Sequence, residues 1–131
     1  MHLLPGLDNL LALRSWAGRA LVDPTHHTIP LIGMGARGSI SVGEVRWPHQ
    51  RPIVQDGEWI GVWEWDLDAG QAVGATFGPA GAANDAIRDA LATQSRFIAD
   101  ELDGAWRTYS VDSEKFLRAR LAAMQAFHRV K

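Results

Sequence analysis

The sequence predicts an α+β domain: a curved, mostly antiparallel sheet forming a partial barrel, with a short N-terminal helix before it and two C-terminal helices after it. Three observations carry this. Asp56-Gly57 lies between two apolar runs, a strong signal for a two-residue hairpin. Trp59, Trp63 and Trp65 fall at alternating positions in the second run, as side chains on one face of a strand do. After Gly78-Pro79-Ala80-Gly81 the apolar period changes from two to 3.6. Strands followed by helices, rather than alternating with them, argue for α+β.

The 131 residues read as one domain, long enough for a true core. There is no cysteine, which removes disulfides, thiol catalysis and thiolate metal sites. No apolar run approaches the length needed to cross a bilayer. Met1-His2-Leu3-Leu4-Pro5-Gly6 has no basic region and no long apolar stretch, so no signal peptide is read and a cytoplasmic protein is expected. The formal net charge is −2, which argues against a domain that grips nucleic acid by itself. The charge is uneven, however. From Lys115 onward every charged residue is basic: Lys115, Arg118, Arg120, Arg129 and Lys131.

In chain order, Asp8 is placed to cap a short apolar helix from Asn9 to about Arg19, with Leu10, Leu13, Trp16 and Ala17 at helical spacing. Val22 to His27 reads as a loop. Thr28 to Ile32 is a short β-branched strand that Pro30 confines to an edge. Ser39 to Arg46 alternates as a strand, with Gly43 at a bulge position. Arg51 to Gln55, Glu58 to Trp65 and Gln71 to Phe77 form a three-stranded meander, its second turn at Leu67 to Gly70. Ile87, Leu91, Gln94, Ile98 and Leu102 then mark one stripe of a helix, capped by Asn84 or Asp85 and stopped by Gly104. Trp106 to Val111 is a linker or strand. Asp112 or Ser113 caps a last helix, about Glu114 to Arg129, that buries Phe116, Leu117, Leu121, Met124 and Phe127.

Motifs with chemical meaning are few. Gly33-Met34-Gly35-Ala36-Arg37-Gly38 fits G-x-G-x-x-G, but a strand-like run follows where a dinucleotide site needs a helix start. It reads as a loop. His26, His27 and His49 lack metal-ligand spacing and read as solvated loop residues. Asp66-x-Asp68-x-Gly70 lacks the closing glutamate of a calcium loop and reads as a turn. Glu64 reads as a strand-end residue beside it. Neither a cofactor nor a metal is expected. Trp59, Trp63 and Trp65 share one strand face with Gly61, and Ile60, Val62 and Glu64 the other. That ladder serves as core packing or as an aromatic stacking platform. Lys115, Arg118 and Arg129 cluster on one side of the last helix, a solvated face or a phosphate-contacting one.

Three segments carry a resemblance. Leu4-Pro5-Gly6-Leu7-Asp8-Asn9-Leu10-Leu11-Ala12-Leu13-Arg14 with Val22-Asp23-Pro24 is one. Pro52-Ile53-Val54 through Asp56-Gly57-Glu58-Trp59-Ile60-Gly61-Val62-Trp63-Glu64-Trp65-Asp66 is the second, and Tyr109-Ser110-Val111-Asp112-Ser113 the third. In this order they resemble the C-terminal region of the bacterial winged-helix DNA glycosylase family (AlkZ-like), also known as winged-helix DNA-binding proteins. The resemblance implies a β-rich, barrel-like domain with a role in DNA binding or base-excision repair. The family's winged helices and catalytic glutamine motif lie upstream in its members and are not in this sequence. Gln50, Gln55, Gln71, Gln94 and Gln125 form no Q-x-Q or Q-x-D pair.

The expectation is therefore an accessory, DNA-associated module without glycosidase activity, its partners DNA or a winged-helix protein, and not a membrane. Its nucleic-acid contacts are expected at Arg46, Trp47, His49 and Arg51, at the Asp56-Gly57 tip, and at Arg118 and Arg129. The alternative is a small-molecule-binding, barrel-like domain whose pocket is lined by Trp59, Trp63 and Trp65.

Overall fold

The computed structural model describes residues 1–3, 17–32, 38–45, 50–102 and 113–131. Among these residues seven strands, all paired antiparallel, form two sheets, and three helices pack around them, without closure into a barrel. The larger sheet is built on the meander. β4 (Arg51–Gln55), β5 (Glu58–Asp66) and β6 (Gln71–Thr76) are its middle strands, and β1 (His2–Leu3) and β7 (His128–Arg129) its edges. β2 (Pro30–Ile32) and β3 (Ser39–Ser41) form a separate pair.

The hairpin turn follows from its two residues. Asp56 and Gly57 have φ of 51° and 84°, and a two-residue turn that matches strand twist needs both positive. The next turn is held by Asp66, whose Oδ1 accepts from the backbone N–H of Asp68 (3.0 Å) and Ala69 (3.1 Å).

β4 and β5 do not pair in one register. Arg51, Pro52 and Ile53 oppose Trp63, Val62 and Gly61, whereas Val54 opposes Trp59. Ile60 is the extra residue of a β-bulge, and its carbonyl accepts from Phe77 N–H at 2.9 Å. A bulge reverses the alternation, and this corrects the single-face reading of the tryptophans. Trp59 lies in one core cluster with Val62, Ala75 and Phe77. Trp63 lies in the other with Ile53, Ala72, Ile87, Leu91 and Ile98, and half-buried Trp65 packs against that one. Gly61 makes the bulge feasible: a Cβ there would come 2.3 Å from the Ala75 carbonyl oxygen.

Each face of the sheet has its own cover. α1 (Ala17–Leu21), the β2–β3 pair and α3 (Glu114–Ala123) contribute to the Trp59 side. α2 (Asn84–Glu101) covers the Trp63 side and packs on β6 and β1. Ile87, Leu91 and Ile98 face inward at helical spacing, as their stripe predicts, while Phe97 stays half-exposed.

The other expectations hold in part. Residues 9–16, expected in the N-terminal helix, residues 33–37 of the glycine-rich motif, and Trp106 to Val111 lie outside the described residues. β3 ends at Ser41, and Val42–Glu44 form a 3-10 turn rather than more strand. Gly43 sits there against His27, so its smallness serves a close approach and not a bulge. Asn84 does not cap α2. Its side-chain amide donates to the Lys131 carbonyl (3.1 Å) instead. The last helix stops at Ala123. A 3-10 turn over Met124–Ala126 leads to extended Phe127, whose ring meets Phe77 edge-on at 5.8 Å. Docking that ring outweighs the helix-forming tendency of the alanine-rich sequence before it.

Candidate functional site

Three groups of side chains carry chemistry among the described residues: a buried ion cluster around Glu64, a surface cluster around Asp68, and a basic groove along β7.

Glu64 is 1% exposed and lies in β5, two residues before its end. Its Oε1 accepts from Arg51 Nη1 and, at 3.0 Å, from the Trp65 backbone N–H; its Oε2 accepts from Arg120 Nε. Arg51 and Arg120 are 7% and 8% exposed. Arg51 also lies over the Trp63 ring, 5.5 Å from its centroid, where the ring face attracts a cation. Charges taken out of water must be paired and hydrogen-bonded, and the Glu64 carboxylate pairs with both guanidinium groups. Arg51, expected at a nucleic-acid surface, is therefore an interior residue. Arg120 was missed from sequence. It lies on the apolar stripe of the last helix, three residues after Leu117, and a charge on such a stripe is the signal of a buried partner.

The tryptophans are likewise placed by packing. Trp59 is fully buried, donates its indole N–H to the Gly61 carbonyl at 2.7 Å, and meets Phe77 edge-on at 5.5 Å. Trp63 is buried in the other core. Neither lines the grooves described below. Arg46, Trp47 and His49 lie outside the described residues.

Arg118 is exposed and committed. Its Nη1 and Nη2 donate to the two Asp68 oxygens at 2.9 and 3.0 Å, and its Nε donates to Glu114 at 2.8 Å. The hydrogen-bonded Arg118 guanidinium holds the Asp68 carboxyl below its ordinary 3.8, and Asp68, then Glu114, push the guanidinium pKa upward in turn. Arg118 and Arg129 are brought together along one cleft of about 320 Å³, but Asp66 and Asp68 stand in the same wall. Arg129 is not on the helix with Arg118: it is on edge strand β7, opposite Ala75. Only the strand explains why Arg129 also faces a second groove, between β6–β7 and α2, of about 630 Å³.

Two expectations about histidines change. His26 is half-buried, its ring 6.4 Å from Phe77, and the His27 ring is within 3.0 Å of the Val22 carbonyl oxygen, so neither is a solvated loop residue. Among the described residues no cluster of three or more His, Asp or Glu is placed to hold a metal ion. No helix among them is long and apolar enough to cross a membrane.

Comparison with family models, with characterised proteins and with solved structures finds no match.

Proposed function

We propose that this domain is an accessory, DNA-associated module, without glycosidase activity, that works beside a winged-helix partner. The resemblance to the C-terminal region of winged-helix DNA glycosylases supplies the class. The observation that supports it is the gathering of cations at the β7 rim. Although the chain is net negative, Arg129 and Lys131 stand there with Arg88 and Arg96 around one groove. Phosphate neutralisation needs such local clustering and not a basic composition.

The test is anisotropy of labelled duplex and single-stranded oligonucleotides titrated with the protein over a range of salt. The expected result is saturable binding whose logarithmic affinity falls linearly with the logarithm of salt concentration. Absence of binding to either form at low salt would sink the reading. A winged-helix reading frame beside this one would support the partner half of it.

A further inference from the structure

We infer that the groove between α2 and β6–β7 is the path of a phosphodiester backbone. This rests on the DNA-associated reading and deepens it, because it moves the contact away from Arg118.

The two clefts that share Arg129 are opposite in electrical character. On the α3 side, Asp66 and Asp68 balance Arg118 and Arg129. On the α2 side, four of the twelve lining residues are cationic and none is acidic. Arg129 and Lys131 take part in no ion pair among the described residues, and Arg96 donates only to the Thr93 hydroxyl, at 3.1 Å. Arg88 reaches Asp85 at 3.2 Å, with both side chains more than half exposed. An exposed pair of that kind is weak, so an incoming phosphate can compete for the guanidinium. Arg118, by contrast, would have to leave three charge-assisted hydrogen bonds to two carboxylates.

The groove is also held in shape. Val130 N–H donates to the Gly74 carbonyl at 3.0 Å, which continues the β6–β7 pairing beyond Arg129. Asn84 ties Lys131 to the start of α2, so the helix carrying Arg88 and Arg96 and the strand carrying Arg129 keep a fixed spacing. Arg88 and Arg96 are eight residues apart in the helix, so at about 1.5 Å of rise per residue they sit roughly 12 Å apart along it. That is a row of charges, suited to separate phosphates along one strand and not to one small anion.

The test uses the full chain and fluorescein-labelled single-stranded and duplex DNA of one sequence. In Arg88→Ala/Arg96→Ala the affinity should fall on the order of tenfold, and the salt slope should flatten by about 0.9 for each duplex phosphate no longer neutralised. Arg118→Ala should bind like the wild type. All three substituted residues are exposed or at the rim, and an unchanged melting temperature will confirm that the double variant folds. Weaker binding to either form of DNA supports the groove, and the form more affected identifies the strand arrangement it takes. A double variant with wild-type affinity and slope, or a larger loss in Arg118→Ala, overturns the groove while leaving the DNA-associated reading standing. No binding by the wild type at low salt overturns both.

Discussion

Besides the lone Arg88–Asp85 pair, arginine meets carboxylate in two clusters among the described residues, around Glu64 and around Asp68. The hydrogen-bonding chemistry is the same and the settings are opposite. The Glu64 cluster is sealed between β4, β5 and α3, with two guanidinium groups sharing one carboxylate. The Asp68 cluster is in solvent, with one guanidinium spanning two carboxylates. Water can replace a missing partner in the second and not in the first, so the interior cluster fixes how α3 lies on the sheet. The surface cluster does something else: it uses up a guanidinium that the sequence nominates for binding.

The largest effect is expected from Glu64→Gln. It leaves two buried cations facing a neutral amide and should cost about 3–5 kcal/mol, a penalty of the size seen when one partner of a buried ion cluster is removed. Urea unfolding would show this as a lower midpoint at constant slope. A midpoint near that of the wild type would mean that the cluster is not sealed from water. Arg120→Met is gentler, because it leaves the Arg51–Glu64 pair charge-balanced. The Arg120 bond to Glu64 is charge-assisted, and losing that bond should cost roughly 1.5–3 kcal/mol. If Arg120→Met proves more damaging than Glu64→Gln, counting charges is the wrong description of the cluster.

Asp68→Asn should have the smallest effect and a distinct pH signature. The folded pKa of Asp68 is below its ordinary value of 3.8, so its contribution is present above that pH and is lost as pH falls through the folded value. The gap in melting temperature between variant and wild type should therefore be small at pH 7, narrow at acid pH, and shrink with added salt. A gap that persists in acid and in high salt would contradict a solvent-exposed pair.

Where local chemistry decided the structure, the sequence was legible. Asp56-Gly57 demanded its turn, the alternation gave the meander, and Ile87, Leu91 and Ile98 gave α2. Three features depend on how elements meet one another and were not read. The bulge at Ile60 arises only when β4 pairs with β5, although Gly61 beside it was a visible hint. The last helix stops at Ala123 because Phe127 finds Phe77, fifty residues earlier in the chain. Glu64 and Arg120 are fifty-six residues apart, and no spacing rule connects them. The candidate site was legible in part for the same reason. Arg129 was marked by its charge, but its place beside Arg88 and Arg96 follows from β7 pairing with β6.

The bulge has a consequence for how the molecule comes apart. Because β5 sends Trp59 to one core and Trp63 to the other, both cores hang on a single wall. Losing either one strips a face of that strand and exposes the other, so the two should melt as one cooperative unit, reported at once by indoles on both sides. It also makes Glu58 to Gly61 the place where the chain tolerates insertion or deletion least. One residue added or removed there would turn half a strand over and trade the contents of the two cores.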